Sequence, residues 1–369
     1  MSKLFEPSQI NGMTLPNRFV RSATWEAMAA DDGACTPQLI ECMARLSEGH
    51  VGLIISSHAY VLQNGQAGPR QLGIYDDRLM EGLRGMARAV HEYGSPVAVQ
   101  LAHAGYFAFA KATGELPMAP SAVEGLSKGP KREMTETDIA AVVEAFGLAA
   151  GRAREAGFDA IQIHAAHGYL LSQFLSPALN KRTDAYGGSL ENRARALMEV
   201  LGSVRSAVGP DFPVLVKMNS QDFIEEGLTV EDSAAVAMML QEGGIDAIEL
   251  SGGTFLSGKN IPSRVGITSE EKEAYFKEAA MAFKKRLSVP LILVGGIRTP
   301  QLAERLFEEG LADYFSMSRP FIREPDLVKR WESGDLRKAA CLSDNLCFEP
   351  TRAGQGIYCV TEERQKEGK

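Results

Sequence analysis

Short apolar runs rich in β-branched residues recur along this chain, and segments whose apolar positions repeat with helical spacing fall between them. The runs at 19–23, 52–56, 97–101, 160–164, 214–218, 247–251, 291–294 and 314–317 read as strands, apolar enough to be covered on both faces. The stretches 78–93, 136–156, 191–208, 230–242, 270–287 and 300–309 read as amphipathic helices. Thr135 to Asp138 has the form of a capping box, and Thr299-Pro300 places proline at a first helical turn. Eight strands alternating with helices predict the α/β class and, within it, a closed (β/α)8 TIM barrel.

No Gly/Ser-rich or Pro-rich linker divides the 369 residues into halves. The connection 104–135, rich in Gly, Pro and Lys, is expected to be an active-site loop or lid. The βα rhythm stops near residue 335, so 1–335 is expected to form the barrel and 336–369 an appended tail. With 45% hydrophobic and 23% charged residues the chain has ample core material. A formal charge of -8 argues against capture of nucleic acid, which needs clustered basic surface. No apolar run reaches membrane-spanning length and the amino terminus does not read as a leader, so a cytoplasmic protein without membrane partners is expected. The five cysteines are too few and too uneven for a disulfide framework and are expected to be reduced thiols.

In a closed parallel barrel the chemistry gathers at the carboxyl ends of the strands. There the chain offers Ser22, Ala23, Thr24 and Trp25 after the first run, His58 after the second and Gln100 in the third. The fourth run ends in His164, His167 and Tyr169, the fifth in Lys217, the sixth in Ser251-Gly252-Gly253. Two neutral imidazoles donate hydrogen bonds to one carbonyl oxygen, and a phenol beside them delivers a proton to a neighbouring carbon. Gly295-Gly296 and Ser318-Arg319 follow strands seven and eight, where glycine backbone N–H groups and an arginine suit a phosphate. Lys217 is costly to bury without an anionic partner, which is either a reduced heterocycle or a carboxylate such as Asp222 or Glu249. Gln100 suits a heterocycle edge or an ordinary core amide contact.

Four segments carry a resemblance: Leu15-Pro16-Asn17-Arg18, Gln100-Leu101-Ala102-His103-Ala104-Gly105, His164-Ala165-Ala166-His167-Gly168-Tyr169 with Leu175-Ser176-Pro177, and Asn180-Lys181-Arg182-Thr183-Asp184-Ala185-Tyr186-Gly187-Gly188-Ser189. Over roughly 4–325 the chain closely resembles the Old Yellow Enzyme family of FMN-dependent ene-reductases, nearest the dienoyl-CoA-reductase-like branch. The resemblance implies FMN at the barrel mouth, NADH or NADPH as hydride donor, and ping-pong reduction of the C=C bond of a small unsaturated carbonyl compound. It implies that His164 and His167 hold the carbonyl oxygen, that Tyr169 protonates carbon, and that Trp25 joins them against substrate. Flavin contacts are implied for Ser22, Ala23, Thr24, Trp25, His58, Gln100, Lys217, Gly253, Gly295, Gly296, Ser318 and Arg319. A homo-oligomer is compatible with it. The signature at Arg182 to Gly188 is expected to be architectural.

Two features depart from the family pattern. Trp25 and His58 stand where smaller residues are usual, which bears on pocket width and flavin potential. Cys341, Cys347 and Cys359 resemble an iron–sulfur segment, but Asp344 takes the place of a fourth thiolate, so no metal site is expected and a three-cysteine cluster is the alternative. Two other functions are compatible with the sequence: a redox subunit of a larger assembly, and a non-redox phosphate-binding barrel lyase with Lys217 as base or nucleophile.

Overall fold

The computed structural model describes residues 2–123 and 130–368. Strands β1 (Phe19–Arg21), β2 (Leu53–Tyr60), β3 (Val97–Ala102), β4 (Ala160–Ala165), β5 (Val214–Asn219), β6 (Ala247–Ser251), β7 (Leu291–Val294) and β8 (Tyr314–Met317) form one closed, all-parallel barrel in sequence order. Its outer layer holds helices α1 (Pro37–Glu48), α2 (Met80–His91), α3 (Glu136–Glu155), α4 (Leu190–Val208), α5 (Val230–Glu242), α6 (Lys277–Lys284), α7 (Pro300–Glu308) and α8 (Leu327–Glu332). The expected TIM barrel is thus the observed fold.

The period of two in each strand sorts its side chains between two cores. Val97, Val99, Ile161, Ile163, Val214, Val216, Ile248, Leu250, Leu291 and Leu293 face outward into the main cluster under the helices. Their neighbours Ala98, Ala160, Leu215, Ala247 and Ile292 face inward with Val20, Leu53, Ile55 and Tyr314. An antiparallel hairpin, Ser8–Ile10 with Met13–Leu15, adds Ile10, Met13 and Leu15 to this inner cluster and closes that end of the barrel. Tyr314 fixes it in place by donating from its hydroxyl to Ser8 Oγ at 3.0 Å. The next inward positions toward the carboxyl ends are polar: Gln100, Gln162, Lys217, Glu249 and Ser316. The barrel is therefore apolar at its base and polar toward its mouth.

Three elements differ from the sequence expectation. Strand β2 runs to Tyr60, so His58 lies inside it rather than after it. Helix α1 was absent from the expected set, although Thr36 caps it by accepting from Leu39 N at 3.2 Å and Pro37 occupies its first turn. The expected helix 270–287 is cut to Lys277–Lys284 because Ala274 has φ 48 and Tyr275 N bonds Gly295 O at 3.0 Å. That detour presses Tyr275 onto the Gly295-Gly296 turn.

Part of the connection 104–135 lies outside the described residues, at 124–129. Arg182 ties its two flanks together, donating from Nη1 to Pro120 O at 3.0 Å and to Met134 O at 2.5 Å while pairing with Asp184. Residues beyond 337 return to the mouth: Arg298 and Ala339 exchange backbone-carbonyl bonds, Asn345 reaches Ser263 O, and Ile357 joins the main core. Among the described residues no helix is long and apolar enough to cross a membrane.

Candidate active site

A buried polar chain crosses the barrel interior. Gln100 Nε2 donates to Gln162 Oε1 at 2.7 Å, and Gln162 Nε2 donates to Glu249 Oε2 at 2.9 Å. The other carboxylate oxygen of Glu249 accepts from Ser22 Oγ at 2.7 Å, Ser316 Oγ at 2.8 Å and Lys217 Nζ at 3.2 Å. Lys217 Nζ also donates to Ser22 Oγ at 2.6 Å. Lys217 thus has the carboxylate partner that burial demands, and of the two alternatives it is Glu249. Asp222 instead accepts from Asn219 and from Leu228 N. Burial raises the Glu249 carboxyl, but the Lys217 ammonium and hydrogen bonds from Ser22, Ser316 and Gln162 outweigh it and leave the group below its ordinary value.

Above this layer the histidines and the tyrosine converge. His164 is paired in register with Lys217, and its ring lies 5.4 Å from that of His167 and 4.8 Å from that of Tyr169. The His167 backbone adopts φ 63, and its N–H donates to Asn219 Oδ1 at 3.0 Å. That left-handed turn bends the chain back over the mouth and sets His167 Nε2 2.8 Å from Ser251 Oγ. Tyr169 precedes the short helix Leu170–Leu175, and its hydroxyl lies 3.2 Å from His58 Nε2. Burial, reinforced by Lys217 and by neighbouring histidines, holds His164 and His167 well below the usual imidazole value, so both are neutral. Burial pushes the Tyr169 phenol up, which keeps its proton in place.

The far side of the mouth is built on glycine. A Cβ on Gly296, where φ is 77, would fall 2.9 Å from Tyr275 Cε1, and one on Gly253 would fall 2.2 Å from Asn260 O. Ser318, Arg319 and Gly296 line one small cavity beside Tyr275. Arg319 Nη1 donates to Arg264 O at 2.8 Å and to Asn345 Oδ1 at 2.7 Å. Thr24 Oγ1 lies 2.7 Å from Ser318 Oγ, which joins the ends of β1 and β8, and Ala23 packs on the inner apolar cluster.

Among the buried side-chain nitrogens with no partner in the described residues are His164 Nδ1 and Trp25 Nε1. Unpaired buried polar atoms are costly, and each is explained by a ligand that brings a complementary group. A flavin fits the set. Its heterocycle edge would meet Trp25, Gln100 and Lys217, and its phosphate the glycine turn with Ser318 and Arg319.

The chain matches the model of the NADH:flavin oxidoreductase / NADH oxidase family over residues 3–337. It belongs to that family. FMN, with NADH or NADPH as donor, are the cofactors that membership implies. The chain is 35% identical over 351 residues to an NADH oxidase of Thermoanaerobacter brockii, covering 93% of this chain and 53% of that protein. It is 37% identical over 364 residues to a metal reductase of Desulforamulus reducens, covering 98% and 53%. A 2-naphthoyl-CoA reductase in complex with 2-naphthoyl-CoA superposes with TM-score 0.91 at 29% identity over 98% of this chain and 57% of that one. The chain therefore spans about half the length of these relatives.

Sequence reasoning missed Asn219 and Arg264. Asn219 was within reach, since it follows Lys217 by one inward step at the same strand end. Arg264 stacks over Tyr275 at 4.5 Å with a buried, unpartnered Nε, but it sits in an aperiodic loop that gave no signal. In the tail, Cys341 and Cys347 are buried and Cys359 is half-buried. Burial pushes the Cys347 thiol up to about 12, and Asp344 is engaged with Thr361 Oγ1 and Leu346 N. Among the described residues no three such side chains converge to hold a metal ion.

Proposed function

We propose that this chain is the FMN-binding catalytic barrel of an ene-reductase, which uses NADH or NADPH to reduce the C=C bond of an α,β-unsaturated carbonyl compound by a ping-pong sequence. One observation carries the reading: His164, with a free buried nitrogen, stands beside His167 and Tyr169 at the barrel mouth. Bound FMN would supply hydride to the β-carbon of the substrate. The protein residues do the rest. His164 and His167 are neutral and donate N–H groups to the carbonyl oxygen, whose negative charge grows as hydride arrives. Asn219 and Ser251 hold the His167 backbone and ring for that task. Tyr169 keeps its proton until the α-carbon becomes basic enough to take it. Lys217 and Glu249 set a fixed charge pair beneath the site. Because Lys217 is committed to Ser22 and Glu249, a lyase that needs it as a free nucleophile fits the geometry less well.

Anaerobic titration of FMN-loaded protein tests the reading. Either NADH or NADPH should bleach the flavin band, and 2-cyclohexen-1-one should restore it. Flavin-loaded protein that neither nicotinamide bleaches would overturn the proposal.

A further inference from the structure

Proton delivery by Tyr169 needs two further things: the phenol hydrogen must point at the substrate carbon, and the phenolate left behind must be stabilised in a buried site. His58 is placed for both. Its Nε2 lies 3.2 Å from the Tyr169 hydroxyl, the rings are 5.6 Å apart, and among the described residues that hydroxyl is the one hydrogen-bond partner of the imidazole.

A local irregularity puts it there. Ile55 faces the inner cluster, so strict alternation from it would place Ser57 and Ala59 inward and His58 outward, yet Ala59 lies in the outer cluster. The register between β2 and β3 shifts between Ile55 and His58, and the bulge restores pairing with His58 opposite Gln100. Ser57 then donates to Glu26, while His58 turns into the mouth. The strand is pinned in this form by Gln71 Nε2, which donates to His58 O at 2.9 Å. Tyr169 is held as firmly: its N–H donates to Ala166 O at 3.1 Å, and Leu170 N–H donates to His103 O at 3.0 Å.

We propose that His58 is a positioning residue for Tyr169, donating Nε2–H to the phenol oxygen so that the phenol's own hydrogen faces the substrate α-carbon. The inference rests on the ene-reductase reading. In the step, the Tyr169 O–H bond breaks and its proton goes to the α-carbon. The enolate C=C electron pair forms the new C–H bond as the carbonyl reforms. The phenolate keeps the O–H electron pair and is held by the His58 N–H until water returns a proton. Burial first, then the nearby Lys217 and Arg21 cations, lower His58 to about 4, so the ring is neutral and has one N–H to give. The other tautomer would accept from Tyr169 and turn its hydrogen away from substrate. A phenolate selects the donating form, because only that form stabilises it.

The test uses the whole FMN-loaded chain and compares wild type with His58→Gln, whose amide nitrogen reaches the place of Nε2, and His58→Asn, whose shorter amide does not. Turnover of 2-cyclohexen-1-one, which needs protonation at carbon, is divided by turnover of menadione, which does not. His58→Asn should lower this ratio at least about tenfold, and His58→Gln should keep most of it. An unchanged ratio in His58→Asn, or equal loss in both variants, overturns the assignment. Wild-type protein that nicotinamide bleaches but that reduces no enone instead defeats the ene-reductase reading on which it stands.

Discussion

Lys217 Nζ lies 3.2 Å from Glu249 Oε1, with both side chains sealed inside the barrel. Removing one partner leaves an unpaired charge in a site where water cannot replace it. Lys217→Met should therefore destabilise the FMN-free protein by about 3–5 kcal/mol. Lys217→Met combined with Glu249→Leu should recover much of the loss, because an apolar pair needs no compensation. Urea unfolding of the two variants checks this; equal destabilisation by single and double variants would show that the pair is not the cause.

Tyr169 has a raised phenol whose hydroxyl, among the described residues, bonds His58 alone, so deleting it removes the proton and the His58 contact while leaving His164 and His167 in place. Tyr169→Phe should slow reoxidation by 2-cyclohexen-1-one by about 10²-fold while bleaching by nicotinamide persists. Rapid-mixing absorbance of each half-reaction measures the two rates separately. Loss of bleaching with normal reoxidation would mean that Tyr169 serves the other half-reaction.

The glycine turn after β7 predicts a different defect. Gly296 has φ 77, and an added Cβ would meet Tyr275 at 2.9 Å, so Gly296→Ala is strained in backbone and crowded in space. Tyr275 is itself anchored, donating from its hydroxyl to Pro262 O at 2.7 Å, so it has little room to retreat. Purified Gly296→Ala should carry several-fold less FMN than wild type, read from the ratio of flavin to protein absorbance. Full flavin content would place the phosphate elsewhere.

The eight strands were legible because both of their faces are apolar at the base, which makes short runs stand out from amphipathic neighbours. The boundary of β2 was not, since Ser57 and His58 read as loop polarity and only the bulge explains why a strand contains them. The start of helix α1 is readable in Thr36-Pro37. The break at Ala274 is set by a contact with Gly295 some twenty residues away, which no local pattern encodes. The strand-end rule brought His164, His167, Tyr169 and Lys217 together correctly. It offered Glu249 as one possible partner of Lys217 but could not say that Gln162 links Gln100 to that carboxylate, because Gln162 alternates with apolar residues in a run that reads as uniform core.

Four of the six histidines, His58, His103, His164 and His167, lie at the mouth with depressed values, and this fixes an acid limit of stability. His103 shows why the neutral form is built in: Gly105 N–H donates to its Nδ1 at 3.0 Å, which a protonated ring cannot accept. In the unfolded chain each imidazole titrates at its ordinary value of 6.5, whereas folded His58 and His103 titrate at about 4. The native state is the one that binds fewer protons. Its stability is therefore complete above pH 6.5 and falls as pH drops toward 4, by up to about 1.4 kcal/mol per pH unit for each site. Urea midpoints measured from pH 7.5 to 4.5 should fall steeply below about 6.5, and replacing His103 by Gln should make that fall shallower. A flat profile across the window would show that these rings take up protons in the folded protein as readily as in the unfolded one.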